Sequence, residues 1–469
     1  MTTAVVVGSG PNGLAAAITL ADAGVEVVVV EAADQVGGGM RSGELTLPGL
    51  VHDRCSAAHP FAVDNAFSRT FDLREHGLRW RWADVEYAHP LDDGRGAVAV
   101  RDVDRTAAGL GPRGAGWAAV FGPLAHDFGE VSADVLGPVL RIPDHPIGFA
   151  RFGLRAAMPA SLLARRLRSE AARALWAGVA AHAFRPFSAA MSSAIGVGLG
   201  VAAHRYGWPV AEGGSRAIAS AMVSKLEDLG GRIETGRRVT SVREIDDADI
   251  VMLDVAPAAA AGILGDRLSG RVARAFTRYR HGPGAFKVDW AVDGGIPWQH
   301  EESRRAGTVH VGGTLEEISD AERLCARGGM PDRPFVLVCQ QAVADPTRAR
   351  GEAMPVYGYA HVPAGFDGDA TAAIEAQIER YAPGFRDRIL ARHVTSTAQL
   401  SEQNANFVGG DIVTGATDLR QLVFRPRPAL DPYSTGVPGV FLCSAATPPG
   451  AGAHGMCGYN AASSALRNA

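Results

Sequence analysis

Apolar residues near the start of the chain fall into two short continuous runs separated by a longer Ala/Leu-rich stretch. The run Thr3-Ala4-Val5-Val6-Val7 is too short for a helix and predicts a short buried strand. The stretch from Pro11 onward predicts a helix that Gly24 ends, and residues 25–30 predict a second buried strand ending at Glu31. A related pattern returns twice. After Glu212-Gly213-Gly214-Ser215, residues Ile218, Met222, Leu226 and Leu229 share one face of a predicted helix, which Gly230-Gly231 stops. Strands are predicted at 232–242 and 249–255. Near the C-terminus, a strand at 440–443 leads through a glycine-rich loop to a closing helix from Asn460. The segments between differ in texture. Residues 76–205 are Ala- and Arg-rich and predicted to be largely helical. Residues 270–400 mix strands at 286–292, 335–341 and 354–362 with a helix at Thr371–Tyr381. The pattern predicts an α/β nucleotide-binding domain in three pieces (1–75, 209–257 and 400–469), interleaved with an α+β substrate domain (76–208 and 258–399).

The turn after the first strand reads Gly8-Ser9-Gly10-Pro11-Asn12-Gly13. Three glycines between a strand and a helix, with an acid closing the next strand, form the dinucleotide-binding βαβ signature. Gly8 permits the tight turn, Gly10 lets backbone approach a diphosphate, and Gly13 lets helix and strand pack closely. The helix N-terminus, with Pro11 and Asn12 in its first turn, offers free N–H groups to an anion. Glu31 is placed to accept hydrogen bonds from ribose hydroxyls. A second cluster, Gly37-Gly38-Gly39-Met40-Arg41-Ser42, gives backbone room for a large ligand at Gly38 and Gly39. It also brings a guanidinium, Arg41, that can pair with the diphosphate or orient a ring.

A chain of 469 residues exceeds a single simple core. A net charge of −4 calls for no nucleic-acid partner. Five cysteines without a CxxC spacing or a histidine cluster exclude a disulfide framework, a redox dithiol and a metal site, and point to a cytoplasmic, reducing setting. A first strand beginning by residue 3 leaves no room for a cleaved leader, and no apolar run has spanning length. One stretch departs from the even balance of charge: residues 151–176 carry six arginines against Glu170 alone. Leu154, Met158, Leu162, Leu163, Leu167, Ala171 and Leu175 follow near-helical spacing there. The expectation is a surface helix of the substrate domain, with peripheral contact to an anionic membrane as the sharper reading.

These glycine clusters, the acid and the Gly38-Gly39-Met40-Arg41-Ser42 run resemble the flavoprotein superfamily of amine oxidases and phytoene desaturases. The run from Ala451 to Ala462 resembles that superfamily's second flavin-binding motif. Segments around Pro283–Trp290, Gly312–Glu317, Ala344–Arg348 and His361–Pro363 resemble its phytoene-dehydrogenase-related branch. The resemblance implies non-covalent FAD and a Rossmann-like domain of the glutathione-reductase type. It also implies that residues near Val239 pass the adenine, and that Ser444, Gly455, Met456 and Gly458 line the flavin. A helix N-terminus after Gly455 would steady negative charge on a reduced flavin ring.

Lys287 sits in an otherwise apolar strand with Trp298 eleven positions on, and amine oxidases have a similar lysine beside flavin N5. That resemblance makes Lys287 a candidate for managing a proton or peroxide. Among the histidines His59, His310, His361 and His454, only His454 lies beside the flavin loop, as a candidate acid or base. One departure matters. Amine oxidases place an aromatic after the first glycine of this loop, where the chain has Met456, which favours a flatter, more apolar substrate. The expectation is an FAD-dependent dehydrogenase or desaturase acting on a C–C or C–N bond of an apolar small molecule, reoxidised by oxygen or a quinone. A redox-neutral double-bond isomerase, an amine oxidase and a flavin-free lipid escort are the alternatives. The sequence leaves the oligomeric state open.

Overall fold

A computed structural model describes residues 2–468. The chain passes twice between two sheets. β1 (Thr3–Val7), α1 (Pro11–Asp22) and β2 (Glu26–Val30) open the first sheet, and β3 (Val85–Pro90) and β4 (Gly96–Ala99) contribute to the second. A helical run follows: α2 (Ala115–Val135), α3 (Pro146–Ala156), α4 (Ala160–Ala164), α5 (Glu170–Ala181) and α6 (Ala194–Arg205). α7 (Arg216–Asp228), β5 (Arg232–Glu234) and β6 (Ile250–Leu253) return to the first sheet. β7 (Gly284–Asp293), β8 (Ala306–Val311), β9 (Val336–Cys339), β10 (Ala353–Val362), α8 (Thr371–Tyr381) and β11 (Ile389–Thr395) complete the second. β12 (Val440–Leu442) and α9 (Met456–Asn468) close the first.

The first sheet has the order β12-β6-β1-β2-β5 and is parallel throughout. Its strands read as valine and isoleucine runs because helices α1, α7 and α9 cover one face while a second apolar layer covers the other. Val6, Val29 and Leu253 are fully buried, each contributing about 1.5–3 kcal/mol by leaving water. α1 starts where Gly10 provides an extended N-cap and Pro11 a preset φ, and it ends at Gly24 with φ +80°. The second sheet has the order β11-β7-β10-β9-β8-β3-β4, antiparallel except where β8 meets β3. The helical insert packs on one of its faces and α8 on the other.

Residues 76–205 are largely helical, as expected, with β3 and β4 inserted near their start, and several other expectations are corrected. These two strands pair with each other as a hairpin, and β3 is joined to the second sheet by the distant β8, a stabilisation that local pattern does not encode. The strand expected at 232–242 stops at Glu234, because Gly236 takes φ +70° and turns the chain. Val239 therefore lies in no strand, although it is buried. The closing helix begins at Met456, four residues before Asn460. The arginine-rich stretch is no continuous helix: it breaks after α3, at Met158-Pro159, and again between α4 and α5.

Candidate functional site

The site is built at the carboxyl ends of the parallel strands, where open α/β sheets bind ligands. Gly8 has φ +102°, and a Cβ there would lie 2.9 Å from the Asp254 carbonyl oxygen. A Cβ on Gly13 would lie 2.1 Å from the Gly8 carbonyl oxygen. Both positions therefore require glycine. At the N-terminus of α1, Pro11 has no N–H and the Gly13 amide donates to the Asp254 carboxylate at 2.9 Å, which leaves the Asn12 amide as the first-turn donor toward a ligand. Asn12 is buried with its side-chain oxygen unpaired. Glu31 follows β2 and accepts from the Ser9 amide (2.8 Å), the Ser9 hydroxyl (2.6 Å) and the Ala33 amide (2.8 Å). A carboxylate offers about four acceptor sites, so capacity for a ribose hydroxyl remains.

The second glycine cluster lies against the first. Gly38, at φ +52°, brings its backbone onto Gly10, and a Cβ would meet the Gly10 Cα at 3.0 Å. A Cβ on Gly39 would find the Phe407 ring at 3.6 Å. Arg41 donates from Nε to the Gly38 carbonyl at 3.0 Å and from Nη2 to the Gln403 carbonyl. Burial lowers its pKa while Glu31 supports its charge. At the other end of the chain, Gly455 (φ +71°) turns into α9. Met456 and Gly458 lie in the first turn of this helix, and Ser444, also buried, follows the last strand. A Cβ on Gly458 would fall 1.8 Å from the Asn12 carbonyl oxygen. The first turns of α1 and α9 thus touch at Gly458 and Asn12. Residues more than 400 apart in sequence set two helix N-termini side by side, a cradle that suits an elongated dinucleotide with anionic groups.

The expected catalytic residues have structural partners. Lys287 lies on β7, an interior strand, and donates to both carboxylate oxygens of the buried Asp289. Its ammonium also stands 4.5 Å from the centre of the Tyr357 ring. His52 Nδ1 approaches Asp289 at 3.4 Å. Lys287 is therefore one half of an ion pair. Trp298 belongs to the core on the opposite face of the sheet and donates to Gln340, so the two residues do not meet. His454 Nδ1 accepts from the Met456 amide at 3.0 Å, which caps the start of α9. Burial holds its pKa down at about 4, so the ring is neutral at pH 7. The other histidines are similarly engaged: His59 with Ser215, His310 with His182, and His361 with Glu322.

Two acids not singled out in the sequence shape the site. Asp254, at the end of β6, receives the Gly13 amide at 2.9 Å and fills the space beside Gly10. Its carboxyl is pushed up to about 7, by burial first and by Glu31 in addition. The signal was present: an apolar run, Ile250 to Leu253, that ends in an acid at the ligand end of a parallel strand. Asp53 is fully buried and pairs with the buried Arg348 at 2.6 Å, while accepting from Ser42 and the Ser215 amide. Burial opposes its charge, but Arg348 and these donors outweigh it and hold the pKa low.

Comparisons agree with this architecture. Residues 6–72 match the model of an NAD(P)-binding Rossmann-like domain. Pyridine nucleotide-disulfide oxidoreductase domain-containing protein 2 of Rattus norvegicus is 23% identical, over 99% of this chain and 93% of the relative. The Mus musculus protein of the same name is 33% identical over 30% of this chain and 27% of its own length. Among solved structures, an oxidoreductase from Methanosarcina mazei aligns with a TM-score of 0.61 at 16% identity, covering 100% of both chains. Putrescine oxidase bound to putrescine aligns with a TM-score of 0.61 at 16% identity, covering 99% of each. Cyclohexylamine oxidase from Brevibacterium oxydans aligns with a TM-score of 0.56 at 15% identity, covering 99% of this chain and 98% of that one. The segment that matches the Rossmann-like model is the glycine-rich βαβ unit that opens the parallel sheet, and the chain as a whole shares its fold with these solved oxidoreductases.

Proposed function

We propose that this protein binds FAD non-covalently and oxidises an apolar small molecule at a C–C or C–N bond, with oxygen or a quinone as the final acceptor. The observation that carries the reading is the meeting of the α1 and α9 first turns at Asn12 and Gly458, with Glu31 at the end of the neighbouring strand. When bound, FAD would supply the acceptor for a hydride, that is, two electrons and a proton. The chain's own residues bind and orient. The α1 N-terminus would hold the diphosphate, Glu31 would take a ribose hydroxyl, and the α9 N-terminus would steady negative charge on the ring system. Met456, buried where amine oxidases carry an aromatic, supports an apolar substrate over a caged amine.

The test begins with the purified protein, which should be yellow and release its flavin into solution on acid precipitation. Glu31→Ala should weaken FAD binding by about 1–3 kcal/mol, because a ribose hydroxyl loses a charged acceptor. Flavin retained in the pellet would contradict the non-covalent reading, and unchanged affinity would remove Glu31 from the ribose.

A further inference from the structure

The helical insert carries apolar side chains on the wrong side. In α3 the buried positions include Phe152 and Ala156, and Phe152 packs against Phe128 of α2 with ring centres 6.3 Å apart. The opposite stripe is exposed. It consists of Ile147, Ala150, Arg151 and Leu154, which fall at i, i+3, i+4 and i+7. Ile147 is 70% exposed and Leu154 is 73% exposed. A solvent-facing helix stripe in a soluble protein is normally polar, and this one is apolar apart from one arginine. The loop before α3 continues the pattern with exposed Val139, Leu140 and Ile142, the last 91% exposed. This loop is held in place: the buried Asp134, near the end of α2, accepts from Arg141 and from the amides of Asp144 and His145. Leu162, on α4, is also exposed.

The same stretch of chain carries Arg141, Arg151, Arg155, Arg165, Arg166 and Arg168. Arg141 and Arg151 have carboxylate partners, Asp134 and Asp127. Among the described residues, Arg155 donates to the carbonyls of Arg151 and Ala119 and to no carboxylate. Among the described residues, Arg165, Arg166 and Arg168 contact no carboxylate. Burial first, and then the neighbouring Arg166 and Arg151, lower the pKa of Arg155. A surface combining exposed aliphatic side chains with unneutralised guanidiniums lacks both an apolar cover and an anion.

We propose that the α3 face, from Val139 to Arg168, docks on an anionic lipid bilayer, with Ile142, Ile147 and Leu154 inserted among the lipid chains and the arginines on the headgroups. A helix of 11 residues is too short to span and suits a position in the plane of the interface. No helix among the described residues is long and apolar enough to cross a membrane. A second copy of the chain fits this face poorly, because a twofold contact would bring like patches together and set arginines against arginines. The net charge of −4 means that attraction is local to this patch and easily screened. The docking is independent of whether flavin is bound.

The experiment is co-sedimentation of the full-length protein with vesicles of phosphatidylcholine alone or mixed with phosphatidylserine. The protein should pellet with the mixed vesicles at low salt, release as salt is raised, and pellet far less with phosphatidylcholine alone. The exposed triple variant Ile142→Ser/Ile147→Ser/Leu154→Ser should keep its melting temperature and lose pelleting. Arg165→Gln/Arg166→Gln/Arg168→Gln should lower partitioning roughly fivefold per arginine removed. Absence of pelleting at low salt, or pelleting that neither triple variant alters, would overturn the proposal. So would self-association of the wild type that the serine variant abolishes without any vesicle binding, which would assign the face to contact between copies.

Discussion

At the scale of single residues, two buried ionisable groups make separable predictions. Lys287 is tied to Asp289, and removing one partner of a buried pair strands the other charge. Lys287→Met should therefore lower stability by about 3–5 kcal/mol, read as a fall in melting temperature, and Lys287→Met/Asp289→Leu should recover much of that loss. A single variant that melts like wild type yet reoxidises its flavin slowly would instead make Lys287 a catalytic group. Asp254 gives a pH dependence. Its carboxyl titrates at about 7 in the folded chain, against about 3.9 for an unperturbed aspartate. Glu31, Cys443 and Cys457 are the other titratable groups that face it. A raised pKa means that the folded state holds this proton more tightly than the unfolded chain. The contribution is fully present below about pH 4 and is lost as pH rises through 7, at up to about 1.4 kcal/mol per pH unit. Flavin-free wild type should therefore lose stability relative to Asp254→Asn across that window. Parallel melting curves would show that Asp254 is ionised throughout.

At the scale of elements, the cradle depends on how closely α1 and α9 approach. Gly458 sits where a methyl group would overlap the Asn12 carbonyl oxygen and reach 2.9 Å from the Ala16 amide nitrogen. Gly458→Ala should separate the two first turns, costing about 1–3 kcal/mol of stability. It should also weaken FAD binding by more than the loss of stability alone accounts for. Normal FAD affinity in this variant would mean that the contact serves packing only. The boundaries of these elements were partly legible. The α8 range and the strands near 286, 336 and 354 follow their hydrophobic pattern closely. β3 and β4, a local hairpin, did not stand out inside an Ala- and Arg-rich segment, because the hairpin is held in the sheet by β8, which pairs with β3 over 200 residues on. The arginine-rich stretch had the right spacing for one amphipathic helix, yet Pro159 divides it and Leu154 faces solvent.

For the whole molecule, the chain builds one parallel sheet from three separated segments and threads the second sheet between them. The glycine turn, the acid at Glu31 and the C-terminal glycine loop were readable because each is a local device. Its residue types satisfy a backbone conformation or a charge requirement within a few positions. What surrounds each of those devices was not readable. The ion pair that occupies Lys287, the cap that occupies His454, the carboxyl of Asp254 against Gly13 and the pairing of Asp53 with Arg348 all join residues that only the folded chain brings together. The sequence by itself determined the glycine turn, the acid that closes the second strand and the two helix starts, since each acts over short range. Tertiary structure decided which charged groups are free to act and which apolar residues face outward, because burial and partner choice depend on contacts between distant segments.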